Sequence, residues 1–253
     1  MYFVAPPNTD AFNFFSAANI TDTTQLVAVA SLITDLKNYN IWNKMKAIYP
    51  MVGQAGVSSS FEVNLKNPNT FRGSFSGSWI FSSTGAKPDG STGYMDTKLN
   101  ALSNLSLNSV HLSYYSRTNV GPAGQVEMGT AYQNSTYLLF NYNGTPYGGL
   151  NGNQTTRTSV ANPTTGFLIG SRISSTQEKY YTNNVIQTVN NNSTAIDNKN
   201  ILLGCYTDFT SNPALFSSKE CAFSSIGDGL TDTEAANFYT AVQRFQTTLG
   251  RQV

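Results

Sequence analysis

Few side chains in this sequence could carry out hydrolysis. Cleavage of a glycosidic bond uses two carboxyl groups held roughly 5–10 Å apart. Glu62 and Glu127 each stand alone in a predicted strand, and Glu178 is followed directly by Lys179. We interpret all three glutamates as solvent-facing charges. The sequence therefore predicts no pair of carboxylates suited to cleaving a polysaccharide.

Nucleophilic catalysis has no better support. A serine–histidine–aspartate arrangement would have to use His111, the single histidine, which opens a predicted strand. The sequence has no Gly-x-Ser-x-Gly turn to present a nucleophile, and it lacks a phosphate-binding loop and a dinucleotide fingerprint. We interpret His111 as a surface or hydrogen-bonded residue, and we predict that the protein is not an enzyme.

Metal binding is only weakly indicated. Calcium prefers carboxylate, amide and carbonyl oxygens, and the weak candidates to supply them are Asp96, Asp208 and Asp228. None of the three lies in a dense acidic loop. Two cysteines and one histidine do not make up the usual four ligands of a structural zinc site. We therefore predict no metal and no other cofactor.

The two cysteines, Cys205 and Cys221, lie in neighbouring apolar stretches. They could face each other across a hairpin and form a disulfide. Two buried free thiols are the favoured interpretation, because nothing in the sequence indicates export to an oxidising compartment.

Aromatic and amide side chains offer a different chemistry, the binding of sugars. A tyrosine ring can cover the apolar face of a sugar while its hydroxyl makes a hydrogen bond, and asparagine and arginine can contact sugar hydroxyl groups. Residues of these types occur at predicted loops and strand ends. The candidate glycan-binding residues are Tyr94, Arg117, Asn119, Tyr132, Tyr142 and Tyr147.

The composition narrows the range of partners. Charged residues make up 11% of the 253 residues and the net charge is +1, so the basic patch expected of a nucleic-acid-binding protein is missing. The polar residues are mainly Asn, Ser, Thr and Gly, which suits neutral glycans or other copies of the chain. No apolar run is long enough to predict insertion into a membrane, and the first residues do not resemble a signal peptide.

Helices are predicted at both ends of the chain. Asp22 and Gln25 are spaced as a capping box, and apolar residues at helical intervals extend the helix over 23–38. A short helical turn is predicted near 41–47, and residues 1–20 are predicted to be irregular. Near the other end, Thr231 and Glu234 form a second capping box, and a helix with one apolar stripe continues to a cap at Gly250.

Short strands fill the rest of the sequence. Turn residues recur between alternating apolar segments, a pattern typical of a sandwich or barrel. We predict an N-terminal attachment arm with a helix at 1–50, followed by a β-sandwich at 51–253 that ends in a helix. The predicted strands are Phe61–Leu65, a pair within Phe71–Phe81, His111–Arg117, Val126–Ala131, Tyr137–Tyr142, Phe167–Arg172, Lys179–Val189, Ile201–Thr207 and Cys221–Ile226.

Six blocks follow one another along the sequence: Gly93–Thr97, His111–Arg117, Glu127–Gly129, Tyr137–Tyr142, Phe167–Arg172 and Ala222–Tyr239. In this order they resemble concanavalin A-like and laminin-G-like domains. The first block resembles the opening strand of such domains, and the second takes the place of the central strand that follows it. Phe167–Arg172 resembles the leucine-isoleucine-glycine strand common to the group, and the last block resembles the closing strand that leads into a helix. The resemblance implies a mainly β fold, a jelly-roll sandwich of two antiparallel sheets. An N-terminal helical segment and a C-terminal helix would accompany it.

Three further blocks resemble tail, fibre and head-surface proteins of bacteriophages: Trp42–Pro50, Phe61–Pro68 and Leu230–Gly250. This resemblance implies a non-enzymatic structural protein of the virion, assembled in the bacterial cytoplasm. Its partners would be other virion proteins and copies of itself, with residues 1–50 as the attachment arm. The alternative is a glycan-binding module that recognises a receptor on the host surface, and a polysaccharide hydrolase is a more distant one.

Overall fold

Strands dominate the chain, as the sequence predicts. The computed structural model describes residues 9–119, 124–142, 145–156 and 164–253, without the side chains of residues 141, 142, 145, 146, 155 and 156. The described helices are α1 (Thr9–Ala18), α2 (Thr23–Asn38), α3 (Ser58–Phe61), α4 (Ala101–Asn104) and α5 (Asp232–Thr248). The described strands are β1 (Met45–Tyr49), β2 (Ser74–Ser76), β3 (Trp79–Ser82), β4 (Gly85–Pro88), β5 (Tyr94–Asn100), β6 (Val110–Ser116), β7 (Met128–Thr130), β8 (Ser135–Tyr142), β9 (Thr145–Gly152), β10 (Thr155–Thr156), β11 (Gly166–Arg172), β12 (Gln177–Thr182), β13 (Val185–Asn190), β14 (Asn200–Leu203), β15 (Tyr206–Thr207), β16 (Pro213–Ala214) and β17 (Cys221–Gly227).

Two antiparallel sheets form a sandwich. The first sheet runs in the order β13-β12-β11-β6-β17-β4-β3, and β1 also pairs with β17; the second runs β10-β9-β8-β7-β14-β5-β2. Successive residues of a strand face opposite sides of a sheet, so one set from each strand enters the shared core. Leu112 and Tyr114 of β6 meet Leu138 and Phe140 of β8 there. The predicted mainly β jelly-roll sandwich is confirmed.

A layer of helices covers the outer face of the first sheet. Helices α1, α2 and α5 share an apolar cluster with outward residues of that sheet. Phe238 of α5 packs edge-on against Phe167 and Phe223, with ring centroids 5.3 and 5.8 Å apart. The described part of the predicted arm thus lies on the sandwich, and its role in attachment stays a prediction. In the described ranges, no helix has the length and apolar character needed to cross a bilayer.

The two helices predicted from capping residues, α2 and α5, are confirmed. Asp22 accepts a hydrogen bond from the backbone N–H of Gln25 at 2.8 Å and begins α2. Gly250, with φ of +66°, follows the end of α5 in the left-handed conformation that glycine tolerates.

Of two expectations for the first 50 residues, one is wrong and the other is confirmed only in part. Residues 1–20 were expected to be irregular, but α1 forms from Thr9 because buried Ala11, Phe14 and Ala18 recur at helical spacing. The helical turn expected near 41–47 is a single 3₁₀ turn, Trp42–Lys44, after which the chain enters β1 and pairs with β17.

The strand expected at Phe61–Leu65 is also absent, although its alternating pattern is clear. The side chain of buried Asn64 takes over the hydrogen bonds that a strand backbone would make. Its Oδ1 accepts from the N–H groups of Ile48 and Lys66, and its Nδ2 donates to the carbonyl of Lys46. An asparagine side chain can compete with the backbone in this way.

The segment Lys179–Val189 was expected to be one strand and is a hairpin of β12 and β13. Asn183 and Asn184 form its turn with φ of +48° and +66°. Two consecutive residues with positive φ are the signature of a tight hairpin turn, and asparagine adopts this conformation more readily than most residues.

Removing the capping hydroxyl of α5 should cost stability. Thr231 accepts from the backbone N–H of Glu234, and the Glu234 carboxylate accepts from the backbone N–H of Thr231. We expect Thr231→Ala to lower the free energy of unfolding by about 1 kcal/mol, measured by urea denaturation. Thr240→Ala, which removes an exposed hydroxyl in the middle of the same helix, is the control. Equal stability of the Thr231→Ala variant and the wild type would contradict the role given to the cap.

Candidate functional site

A cleft lined mainly by tyrosine and aliphatic side chains opens on the outer face of the second sheet. We call it the tyrosine cleft; it encloses about 240 Å³. Tyr137 and Leu139 form its floor, because they face outward from β8 while their neighbours Leu138 and Phe140 enter the core. The residues that line it are Val126, Tyr137, Leu139, Tyr147, Gln154, Tyr206 and Leu215.

A second cleft, of about 320 Å³, lies on the same sheet and is mainly polar. We call it the amide cleft, because three asparagine side chains line it. Strands β5 and β14 supply most of its floor. The residues that line it are Tyr94, Asp96, Asn100, Asn198, Lys199, Asn200, Leu202, Thr207, Ser211 and Pro213.

The hairpin of β15 and β16 separates the two clefts. Tyr206 and Thr207 are consecutive and so face opposite ways; Tyr206 lines the tyrosine cleft and Thr207 the amide cleft. The hairpin is tied to the sheet by the N–H of Ala131, which donates to the carbonyl of Thr207, and by the N–H of Val126, which donates to that of Leu215, each at 2.8 Å. These bonds hold the hairpin in place between the clefts.

Hydrogen bonds between the lining residues of the amide cleft and their neighbours hold its polar side chains in place. Asn200 Nδ2 donates to Asp96 Oδ1 at 3.0 Å, and Lys98 pairs with the same carboxylate at 2.8 Å. Asn100 Nδ2 donates to Asn198 Oδ1, also at 3.0 Å. The cleft thus presents amide and carboxylate groups in fixed positions, each with further capacity for hydrogen bonds.

Asp197 holds the loop beside this cleft. Its buried carboxylate accepts from the backbone N–H groups of Tyr132, Gln133 and Asn134 at 2.7–2.8 Å and from the Thr130 hydroxyl at 3.0 Å. Tyr132 is thereby placed under the ammonium group of Lys199, which lies 4.7 Å from the ring centroid. Asp197 is buried and therefore acts on the cleft only by positioning its neighbours.

The six candidate glycan-binding residues do not come together. Tyr94 lines the amide cleft, Tyr147 lines the tyrosine cleft, and Tyr132 lies beside the amide cleft under Lys199. Tyr142 ends β8, and its side chain lies outside the described part of the structure.

Arg117 and Asn119 line neither cleft. They follow β6 in the first sheet, where Arg117 pairs with Glu220 at 3.2 Å and donates to the carbonyl of Arg251 at 2.8 Å. Asn119 accepts from the Thr164 hydroxyl at 2.6 Å.

Sequence reasoning missed the residues that complete the clefts, Tyr137, Tyr206, Asn198 and Asn200. A signal for Tyr137 existed, because it alternates with core residues in a strand that the sequence predicts. Tyr206 and the two asparagines are recognised only once the hairpin is seen to fold back onto the sheet.

The calcium candidates are dispersed and engaged with protein groups. Asp96 takes part in the amide cleft, and Asp228 pairs with Lys46 at 3.1 Å. Asp208 accepts from the hydroxyl of Thr210 and from nearby backbone N–H groups, which lowers the pKa of its carboxyl. Residues 9–119, 124–142, 145–156 and 164–253 contain no group of three acidic, histidine or cysteine side chains placed to hold a metal ion.

The cysteines are two buried free thiols, as the favoured interpretation has it. Burial away from water raises the pKa of Cys205 well above its usual value and that of Cys221 to about 12. Both thiols are therefore protonated at neutral pH and poorly reactive.

Two of the glutamates interpreted as solvent-facing are buried, and that interpretation is wrong for them. Glu127 pairs with Lys219 at 2.7 Å and Glu178 with Arg172 at 3.0 Å, and all four side chains are inaccessible to solvent. The reason is that each carboxylate meets a basic side chain from another segment: Lys219 lies 92 positions from Glu127 in the sequence, and Arg172 lies on β11, the strand that pairs with the β12 strand of Glu178. Both carboxylates are committed to structural ion pairs.

His111 is buried and hydrogen-bonded. Its Nδ1 lies 2.6 Å from the carbonyl of Asp228 and its Nε2 lies 3.0 Å from the hydroxyl of Ser225, which in turn contacts Ser113 at 2.7 Å. The carbonyl requires a proton on Nδ1, so Nε2 of the neutral ring accepts from Ser225. Burial lowers the pKa of His111 to about 4, against an opposing effect of Asp228.

Acid should therefore weaken the fold through His111. The unfolded chain takes up this proton near pH 6.5, and the folded chain only near pH 4. The contribution of neutral His111 to the free energy of unfolding is fully present above pH 6.5. About 3 kcal/mol of it is lost as the pH falls to 4. We expect urea denaturation between pH 7 and 4 to show this loss, with a smaller change in His111→Gln. An identical pH dependence in both proteins would contradict the assignment.

Comparison with known proteins identifies a class of fold. The chain matches no protein-family model and no curated protein. Domain 4 of an extracellular GH43 arabinanase from Geobacillus stearothermophilus, solved in complex with arabinotriose, superposes with a TM-score of 0.52 and 16% identity. The match covers 79% of this chain and 98% of that domain. The likeness shows the β-sandwich fold and nothing finer.

A second solved structure is more distant. Trypanosoma rangeli sialidase in complex with 2,3-difluorosialic acid gives a TM-score of 0.44 at 11% identity, over 85% of this chain and 39% of that protein. This likeness is too low to carry an argument about fold or function.

Proposed function

We propose that this protein is a non-catalytic glycan-binding β-sandwich domain whose ligand lies on the outer face of the second sheet. The observation that carries the proposal is the pair of clefts on that face. One cleft offers tyrosine rings and the other offers an array of amides. Helices cover the outer face of the first sheet, whereas none of the described residues in the apolar cluster on the outer face of the second belongs to a helix.

The chemistry of both clefts suits sugars. Tyrosine rings present apolar faces with a polar tip, which complements a sugar ring with C–H groups on its faces and hydroxyls around its edge. Side chains held by their own hydrogen bonds, such as Asn200 on Asp96, lose little conformational freedom on binding. The arabinanase domain was solved with arabinotriose, so short arabino-oligosaccharides are sensible first ligands.

The burial and ion pairing of Glu127 and Glu178 favour glycan binding without cleavage. Glu127 and Glu178 form buried ion pairs with basic residues, whereas a catalytic acid must exchange a proton with its substrate. We therefore propose no hydrolytic activity.

The virion setting is a second proposal, and it rests on the sequence. The blocks Trp42–Pro50, Phe61–Pro68 and Leu230–Gly250 favour it, and neither of the two structures compared above is a virion protein. In that setting the domain would be a fibre, tail or head-surface component that assembles with other virion proteins, and its glycan would belong to the host surface. Incorporation of a variant lacking residues 1–50 into particles would contradict the proposed attachment arm.

A glycan array probed with the labelled protein tests the main proposal. We expect saturable binding to a small set of related neutral glycans, followed by competition with the free sugar. A folded protein that binds nothing on an array that includes arabinans, xylans, glucans and bacterial surface polysaccharides would contradict the proposal. Any release of reducing sugar from the bound glycan would contradict the non-catalytic part of it.

A further inference from the structure

The two clefts lie side by side across the strand direction. Strand β9, which carries Tyr147, and strand β5, which carries Tyr94, are separated by four strand spacings in the second sheet. Four spacings of about 4.8 Å place these strands about 19 Å apart. One monosaccharide is too small to reach both clefts, whereas an extended oligosaccharide is long enough.

The hairpin between the clefts contributes to both of them. Leu215 and Tyr206 line the tyrosine cleft, and Pro213 and Thr207 line the amide cleft. Ala214, which pairs with Tyr206 in the hairpin, has a small side chain. The hairpin therefore provides contacts on both sides without a bulky residue at this position.

The charges of the lining residues indicate which kind of oligosaccharide would bind. Among the described residues, the lining of the tyrosine cleft includes no acidic or basic side chain, and that of the amide cleft includes one of each, Asp96 and Lys199. Asp96 is already paired with Lys98, and the Lys199 ammonium group lies over the Tyr132 ring, so each charge has a partner within the protein. The lining complements an uncharged ligand that offers hydroxyl groups along its length.

From these observations we infer that the two clefts form one continuous binding track, on which a linear, uncharged oligosaccharide lies across the strands and passes over the β15–β16 hairpin. This inference rests on the proposed glycan binding. Contacts at both clefts then belong to one ligand, and binding at the second cleft becomes intramolecular once the first is occupied.

A series of oligosaccharides of increasing length tests the inference. Isothermal titration calorimetry would use linear arabino-, xylo- and cello-oligosaccharides from the disaccharide to the hexasaccharide. We expect one ligand per chain at every length, with an affinity for the hexasaccharide at least about tenfold above that for the disaccharide.

Two variants separate the clefts in the same experiment. Tyr147→Ala alters the tyrosine cleft and Asn200→Ala the amide cleft. Both variants should lower the affinity for the hexasaccharide, whereas only one of them should lower the affinity for the disaccharide. Phe12→Ala removes an exposed aromatic ring of α1, away from both clefts, and should leave binding unchanged.

The possible failures can be told apart. Affinity that does not change with length, or two ligands bound per chain, would overturn the continuous track while leaving glycan binding intact. If no oligosaccharide in any series binds and the array is also blank, the proposed function itself fails, and the track fails with it.

Discussion

Replacing Glu178 with glutamine should lower the free energy of unfolding by about 3–5 kcal/mol, the usual cost of leaving one partner of a buried ion pair without its counter-charge. Glu178 Oε2 accepts from the Arg172 guanidinium and from the backbone N–H of Leu150, both at 3.0 Å. Arg172 Nε also donates to the carbonyl of Leu150 at 2.5 Å. Arg172 and Glu178 belong to the first sheet and Leu150 to the second, so this pair joins the two layers of the sandwich.

A matched control distinguishes burial from ion pairing as such. Asp35 of α2 pairs with Arg244 of α5 at 3.1 Å; the Asp35 side chain is 14% exposed, but the Arg244 side chain is 64% exposed and stays in contact with water. Asp35→Asn makes the same chemical change as Glu178→Gln, and we expect it to cost less than about 1 kcal/mol, because the solvated Arg244 is not left as a buried charge without a partner. Urea denaturation measures both variants. A smaller loss in Glu178→Gln than in Asp35→Asn would contradict the role of the buried pair.

The double variant Tyr147→Ala/Tyr206→Ala should lose at least about 30-fold in affinity for the glycan identified on the array. This corresponds to about 2 kcal/mol, the scale of residues that dominate an interface. Both rings line the tyrosine cleft, and Tyr206 also packs against Tyr137 of its floor, with ring centroids 5.7 Å apart. Their removal takes away apolar surface that a sugar ring would cover.

A loss of affinity in Tyr147→Ala/Tyr206→Ala is informative only if this variant folds. Its urea midpoint and far-ultraviolet circular dichroism should be compared with those of the wild type. Tyr147→Phe/Tyr206→Phe keeps the rings and removes the hydroxyls, so it should retain most of the affinity if stacking dominates. A folded double-alanine variant with wild-type affinity would show that the glycan binds elsewhere.

The predictable features of the fold are those with local causes. Helices α2 and α5 begin at capping residues that hydrogen-bond three positions along the chain. Most strands show as alternating apolar segments between turn residues. Where a single side chain overrides the pattern, as Asn64 does beside β1, alternation alone gives the wrong answer.

The candidate site depends on contacts that span the sequence. Lys219 reaches Glu127 across 92 positions, which is why a lone glutamate in the sequence is a buried ion pair in the structure. The clefts arise because β8, β9, β14 and β5 share a sheet and the β15–β16 hairpin folds onto it. The sequence singles out tyrosines as a residue type, and the strand order decides which of them face one surface.

The most direct test of the account is an NMR titration of the isotopically labelled protein with the oligosaccharide that binds best. We expect shifts in backbone amide signals to cluster on the outer face of the second sheet, in β5, β9, β14 and the β15–β16 hairpin, with α1 and α2 unaffected. Shifts confined to the helical layer, or to the edge of the first sheet, would contradict the assignment of this face as the glycan-binding site.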